Sequence, residues 1–165
     1  MINLEHEKYL KRCVEISLDS LKKGNHPFGA LIVDDEGNII AESGNVEVTE
    51  KECTGHAETT VMRKAAKQYS KDFLWKCTLY STAEPCCMCT GAIYWGNVGR
   101  IVYGISEKRL LELTGSDDNN PTFNMPCREI IARGQKQIEV IGPIADEKLA
   151  QEIVAPHIGY WNTKR

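Results

Sequence analysis

Two short stretches decide the fold: His56-Ala57-Glu58 and, later in the chain, Pro85-Cys86-Cys87-Met88-Cys89. Each stands where the sequence predicts the N-terminus of a helix that follows a strand or a loop. From the composition of this chain, chance alone produces H-x-E roughly 0.4 times and P-C-x-x-C about 0.01 times. Their joint occurrence therefore indicates a functional constellation held by alternating strands and helices.

These residue types predict a zinc site. Cys86 and Cys89 are spaced i, i+3 on a helix, so both sulfurs project from one face, and the positive end of the helix dipole favours their thiolates. His56 adds an imidazole nitrogen. Two thiolates and a neutral histidine balance Zn²⁺ and leave the fourth tetrahedral position to water, which is the pattern of a catalytic site. Glu58 is predicted to contact that water and to carry protons from it to a leaving nitrogen.

Two other interpretations of the cysteines stay open at this point. Cys86 and Cys89 could form a redox C-x-x-C pair, although that explains neither the histidine nor the glutamate. A closed structural zinc site would need a fourth ligand. The candidates for it are Cys53, Cys87 and Cys127. Packing is the expected fate of Cys13, Cys53, Cys77 and Cys87, whereas Cys127 is also a candidate pocket residue.

The elements predicted around the two motifs alternate between helices and strands. A first helix capped by Asn3 ends near Gly24. The further predictions are strands at 28–33, from 39, at 77–81, 100–105 and 137–141, helices at 56–69, 86–95 and 146–155, and a long loop at 114–127. This order predicts one α/β domain over residues 1–165, with a mixed sheet covered by helices on both faces.

Composition excludes several classes of protein. The 165 residues, 42% hydrophobic and 26% charged, suit one globular domain and exclude a disordered or collagen-like chain. No apolar run is long enough to span a membrane, and the N-terminus lacks a secretory signal, so a cytoplasmic protein is expected. Seven cysteines without an export signal favour metal chemistry over disulfides. The net charge of −3 disfavours a broad nucleic-acid platform.

The pair H-A-E and P-C-x-x-C resembles the signature of the zinc-dependent cytidine deaminase superfamily, and the resemblance runs from the first helix to at least Ile105. It implies a three-layer sandwich with a five-stranded mixed sheet, assembled as a homodimer. It also implies one zinc ion per subunit, held by His56, Cys86 and Cys89, with a bound water or hydroxide that attacks a ring amidine carbon so that ammonia leaves. Glu58 would be the proton shuttle, with the backbone of Ala57 and Glu84 positioning the reacting groups.

Further residues resemble the branch that contains guanine deaminases, fungal-type cytosine deaminases and tRNA adenosine deaminases. Asn45 matches the asparagine that hydrogen-bonds the base in that branch. Phe28 and Trp95 would wall an aromatic pocket, as in bacterial guanine deaminases, which the chain resembles most. Taken alone, Asn45 has a turn residue as its alternative interpretation, and core packing is the default for either aromatic side chain.

The long loop and the C-terminal tail carry the remaining predictions. Asp117-Asp118 matches an acidic pair of guanine deaminases, in which one carboxylate assists proton transfer; an exposed turn is the alternative. Tyr160 and Trp161 lie in an aromatic tail, residues 156–165, which would cap the active site of its own chain or of a partner subunit. A docked structural terminus is the competing interpretation.

Two departures bear on the substrate. Cys127 and Arg128 do not match the guanine deaminase pattern, and as pocket residues they would shift the substrate away from guanine. Residues 145–155 are net acidic, whereas tRNA deaminases of this branch carry a basic C-terminal helix, and only Lys164-Arg165 is basic here. A free base or nucleoside, guanine or a related aminopurine first, therefore ranks above cytosine or another amino-heterocycle and above tRNA. A zinc-binding interaction module without turnover is the non-enzyme alternative.

Overall fold

Five strands and seven α-helices alternate along the residues that the computed structural model describes, 5–115 and 117–162. The strands are β1 (Gly29–Val33), β2 (Ile39–Gly44), β3 (Thr78–Ala83), β4 (Arg100–Ile105) and β5 (Glu139–Ile141). The helices are α1 (His6–Lys22), α2 (Ala57–Gln68), α3 (Lys71–Trp75), α4 (Cys87–Gly96), α5 (Glu107–Thr114), α6 (Cys127–Ala132) and α7 (Glu147–Val154), followed by a 3-10 turn (Ala155–His157). The predicted cap Asn3 and the basic pair Lys164-Arg165 lie outside the described residues.

The strands form one mixed sheet in the order β2-β1-β3-β4-β5. β1 runs antiparallel to both β2 and β3, whereas β3, β4 and β5 run parallel to one another. The carboxyl ends of β3 and β4 therefore meet at one edge, which is where ligands bind in open α/β sheets.

Helices cover both faces of the sheet, so the predicted three-layer architecture is confirmed. Alternate residues of β1 enter opposite cores: Leu31 and Val33 pack with α1 and α7, whereas Ala30 and Ile32 pack with α2 and α4. This alternation is what a strand buried on both faces requires. None of the helices in the described ranges is long and apolar enough to cross a membrane.

Candidate active site

The N-termini of two helices bring the three predicted zinc donors together. His56 is the N-cap residue of α2 and Cys86 is the N-cap residue of α4, with Cys89 buried in the first turn of α4. The Nδ1 atom of His56 lies 3.6 Å from the Sγ atom of Cys86. The three donor atoms lie within 4.8 Å of one another. Two N-termini thus point their positive dipole ends at the same spot.

The electrostatics of this cluster favour a cation. Hydrogen bonding from the Cys89 thiol and from His56 lowers the pKa of Cys86 well below its usual range, although burial opposes it. Burial depresses the pKa of His56, but the contact with Cys86 and the charge of Glu58 outweigh it and raise that pKa to about 9. A divalent metal ion binds a thiolate and a neutral imidazole, so it would take the place of the proton that His56 and Cys86 share.

The donor set fits zinc in an open site. Two sulfurs on one tetrahedral zinc ion lie about 3.8 Å apart. The three donor atoms here lie within 4.8 Å of one another, which is close enough to share such an ion. Across residues 5–115 and 117–162, the group of donors close enough to share an ion contains only His56, Cys86 and Cys89. The three cysteines considered as a fourth ligand, Cys53, Cys87 and Cys127, are not part of it. All seven cysteines lie in the described ranges and are free thiols.

Glu58 is enclosed beside the donors. It lies in the first turn of α2, and Ser81 Oγ on β3 donates a hydrogen bond to its Oε1 atom (3.1 Å). Burial raises the pKa of Glu58, and the neighbouring His56 lowers it in part. A carboxyl group whose charged form is disfavoured takes up a proton readily, which is the property that a proton carrier needs.

A cavity of about 400 Å³, including its open mouth, leads to this cluster. Phe28, Asn45 and Glu84, all three predicted as substrate contacts, line it together with the donors His56 and Cys86. Its other lining residues are Glu47, Glu58, Ala83, Glu107, Leu110 and Asn120. The sequence motifs therefore meet at a pocket that mixes apolar walls with converging polar groups, as ligand sites do.

Two of the predicted contacts lie elsewhere. Ala57 is fully buried at the start of α2 and belongs to the core beneath the pocket. Trp95 is 72% exposed on α4 and does not line the cavity, so Phe28 supplies its aromatic wall in the single chain.

The predicted acidic pair divides between two places. Asp118 lines a wider neighbouring cavity of about 850 Å³, which also touches His56 and Cys86. Asp117 is buried, and its carboxylate accepts hydrogen bonds from the backbone N–H groups of Asn119 (2.8 Å) and of Asn162. Asp117 thus ties the long loop to the C-terminal tail.

The aromatic tail docks on its own chain behind Phe28. Trp161 is buried, and its ring centroid lies 5.1 Å from that of His26 and 6.2 Å from that of Phe28. Tyr160 Oη lies 2.8 Å from His26 Nδ1. Both side chains support the pocket wall from outside the cavity.

Cys127 and Arg128 lie away from the pocket. Cys127 is buried in the core, and its backbone N–H donates to Glu84 Oε1 (2.8 Å). Arg128 reaches in another direction, where its guanidinium donates to Tyr103 Oη (2.8 Å) and to two carbonyl oxygens near β5. The departures from the guanine deaminase pattern therefore occupy structural positions in this chain.

Three polar residues at the pocket were not predicted: Glu47, Glu107 and Asn120. Glu47 Oε1 lies 3.9 Å from His56 Nε2, and Asn45 Nδ2 donates to its Oε2 (2.5 Å). Burial, and then the charge of Cys86, raises the pKa of Glu107 to about 9. The sequence signal for Glu47 is its position two residues after Asn45, whereas no local pattern marks Glu107 or Asn120.

Comparisons with known proteins agree with this geometry. A family model of the cytidine and deoxycytidylate deaminase zinc-binding region matches residues 4–105. The chain is 36% identical over 157 residues to the probable cytosine deaminase of Schizosaccharomyces pombe, covering 95% of this chain and 93% of that one. It is 39% identical to the tRNA-specific adenosine deaminase of Haemophilus influenzae, covering 61% of this chain and 58% of that one.

The guanine deaminase of Bacillus subtilis is similar in sequence and in structure. The sequences are 42% identical over 117 residues, which cover 70% of this chain and 74% of that one. Its crystal structure superposes with a TM-score of 0.60 at 33% identity, covering 98% of this chain and 99% of that one. These homologues are deaminases, which are hydrolases that act on carbon–nitrogen bonds of cyclic amidines, and the three metal donors at the edge of this mixed sheet suit that class. The chain belongs to the cytidine and deoxycytidylate deaminase family, and it is a nucleobase- or nucleoside-type deaminase.

Proposed function

We propose that this chain is a hydrolytic deaminase of a free nucleobase or nucleoside, with guanine or a related aminopurine as the first substrate to test. It would act in the cytoplasm, in purine metabolism. The observation that carries the proposal is the enclosed Glu58, which lines the same cavity as the zinc donors, Asn45 and Phe28. A proton carrier, a metal site and a pocket with an aromatic wall are the parts that ring deamination needs.

His56, Cys86 and Cys89 would hold the zinc ion. When bound in such an open site, zinc lowers the pKa of a water molecule and so supplies a nucleophile near neutral pH. Overall, a C–O bond forms at the amidine carbon and the C–N bond breaks; one proton of water leaves on ammonia, and the other ends on the ring nitrogen beside the new carbonyl group. Glu58 would take up a proton at its carboxyl group and deliver it to the departing nitrogen, while Ser81 fixes the orientation of that carboxyl.

The remaining pocket residues would orient the ring. Phe28 offers a face for stacking, held from behind by Trp161. Asn45 is fixed by Glu47, whose backbone N–H donates to Asn45 Oδ1 (3.0 Å), so its amide is already oriented toward the cavity it lines. In this arrangement, the tail would support the pocket wall of its own chain through Trp161, and Asp118 would line the wider neighbouring cavity.

Assembly as a homodimer is part of the proposal. Trp95 and Phe123, which is 61% exposed, present large apolar side chains at the surface of the single chain. Burying such side chains favours association. Light scattering coupled to size-exclusion chromatography should give twice the chain mass of 18.5 kDa.

Ammonia release measures the substrate directly. The zinc-loaded protein should release ammonia from guanine or a related aminopurine faster than from cytosine, adenine or the corresponding nucleosides. No ammonia from any small substrate, together with tRNA retardation in a gel and inosine formation, would establish the second candidate instead. That candidate is favoured by the similarity to the tRNA-specific adenosine deaminase and disfavoured by acidic residues such as Glu147 and Glu152 in α7.

A further inference from the structure

Glu107 carries a carboxyl oxygen with no partner inside the protein. The residue is 3% exposed, and its Oε2 atom is enclosed without a hydrogen-bond partner among the described residues. Buried carboxyl oxygens in folded proteins are almost always hydrogen-bonded, because leaving one unpaired costs the full desolvation penalty. An unpaired oxygen that also lines the active-site cavity is the kind of group that a ligand satisfies.

The position of Glu107 is fixed in advance. It is the first residue of α5, and its backbone N–H donates to Glu84 Oε2 (2.9 Å). Ser106 caps the same helix by accepting from Arg109 N (3.1 Å). The backbone of Glu107 is thus fixed before a ligand binds, which lowers the ordering cost of binding.

A second unpaired atom lines the same cavity. Asn120 Nδ2 is enclosed and has no hydrogen-bond partner within the described ranges. Glu107 Oε2 and Asn120 Nδ2 therefore form no hydrogen bond with each other. The backbone of Asn120 is held by a hydrogen bond from its N–H to Asp117 O (3.1 Å) and by one from Thr122 Oγ1 to its O atom (3.3 Å).

The chemistry of the two atoms is complementary to one kind of ring edge. A carboxyl group keeps an accepting oxygen whether or not it holds a proton, and an amide NH₂ group can only donate. We propose that Glu107 and Asn120 bind the lactam edge of the substrate: Glu107 accepts from a ring N–H, and Asn120 donates to the adjacent carbonyl oxygen. This inference rests on the proposed function, since it requires the amino group of the substrate to face the zinc donors.

A lactam edge divides the candidate substrates. With the amino group at the metal, guanine still offers a ring N–H beside a carbonyl, and so does cytosine. Adenosine offers neither. The pair would thus select oxo-substituted amino-heterocycles and reject adenosine, by leaving buried polar groups unpaired when the edge is missing.

Matched substrates test the inference. Cytosine and 4-aminopyrimidine share the leaving amino group but differ in the lactam, as do guanine and 2-aminopurine. The variants are Glu107→Gln, Glu107→Met and Asn120→Ala, with Glu112→Gln on the exposed face of α5 as the matched control. We expect Glu107→Met to lose about 10- to 100-fold in kcat/KM for the lactam base, whereas Glu107→Gln keeps an accepting oxygen and should lose less. The analogue without a lactam and the control variant should change little, and Glu107→Met should not lower the melting temperature.

Equilibrium binding separates the outcomes. Calorimetry in a Glu58→Ala background reports the same selectivity without turnover. If lactam bases are deaminated but their preference survives in Glu107→Met and in Asn120→Ala, the inference is wrong while the proposed function stands. An equal loss for all four compounds with a lowered melting temperature would show a structural role and also overturn it. Binding that depends on Glu107 without ammonia release would support the inference and reject the proposed function. The absence of both binding and turnover would reject both.

Discussion

At the scale of single residues, Glu58 lies beside the zinc donors but is not among them. Replacing it with Ala should lower kcat by about 10²- to 10⁴-fold, the usual contribution of a positioned proton carrier. Zinc content should remain at one ion per chain, because the donors are untouched. Ammonia release and metal analysis on the same preparation measure both quantities.

His56→Ala serves as the contrast to Glu58→Ala, since it removes a donor and should lose both zinc and activity. If Glu58→Ala also lost its zinc, the glutamate would be a ligand or an organiser of the ligands. Its role as a proton carrier would then be wrong.

Glu47 supplies a second prediction at this scale. His56 turns Nδ1 to Cys86 and Nε2 to the Glu47 carboxylate, which is the orientation in which a carboxylate steadies a metal-bound histidine. Glu47→Gln should weaken zinc binding by about 10- to 100-fold, measured by competition with a chelator. Glu50→Gln, an exposed change in the same loop, should leave the affinity unaltered. Equal affinities for the two variants would contradict this role.

Sequence patterns predicted some of these residues for a physical reason. The zinc donors follow from the sequence because a metal demands particular atoms at particular spacings, and the structure brings His56, Cys86 and Cys89 together. Glu107 and Asn120 belong to no such pattern. They reach the pocket because the chain after β4 folds back over it, which no local spacing encodes.

At the scale of secondary-structure elements, Glu84 joins two short helices to the end of β3. Its two carboxylate oxygens accept the first N–H of α5 (2.9 Å) and the first N–H of α6 (2.8 Å). Glu84→Gln places an NH₂ group against one of these donors. We expect the free energy of unfolding to fall by about 2 kcal/mol, the cost of an unsatisfied buried donor. Urea denaturation at neutral pH measures the change.

Glu129→Gln is the matched control for Glu84→Gln, because Glu129 is exposed in the first turn of α6. Its stability should stay within about 0.5 kcal/mol of the wild type. A similar loss in both variants would show that Glu84 does not hold the two helices.

The sequence predicted the long elements better than the short helices. α1, α2, α4 and α7 appear near their predicted bounds, because their apolar residues recur at helical spacing. β4 spans Arg100–Ile105 as predicted, whereas β5 is shorter than predicted, at Glu139–Ile141. The short helices α3, α5 and α6 were not predicted. The N-terminus of α6 is held by a residue 43 positions earlier, a contact that a local pattern cannot contain.

At the scale of the whole molecule, the C-terminal tail packs against the pocket wall at Phe28. Asn162 donates hydrogen bonds to Thr114 O and to the Asp117 carboxylate, so this tail residue and the long loop are held together. The aromatic composition predicted a tail that caps an active site, with a docked terminus as the alternative; the structure shows Trp161 packed against His26 and Phe28. Sequence could not choose between the chain's own site and a neighbour's, because that choice depends on where the last helix ends.

His157, at the root of this tail, makes the stability of the molecule depend on pH. It is 1% exposed, and its Nδ1 atom accepts from the indole N–H of Trp161 (3.0 Å), which holds the ring in the neutral form. Burial, with a smaller effect of His26, lowers the pKa of His157 to about 4, from 6.5 in the unfolded chain. Between these two values the unfolded chain binds more protons. The stabilisation is therefore complete above pH 6.5 and is lost as the pH falls through 4.

In wild-type protein, His157 should thus reduce the free energy of unfolding by up to about 1.4 kcal/mol for each pH unit inside that window. His157→Gln keeps an acceptor for the Trp161 N–H but cannot titrate. The stability difference between the wild type and this variant, taken from urea denaturation at pH 7 and at pH 5, isolates the histidine from the carboxylates that also titrate. We expect the advantage of the wild type to shrink by about 1–2 kcal/mol at the lower pH. A difference that stays constant with pH would mean that folding leaves the pKa of His157 unchanged.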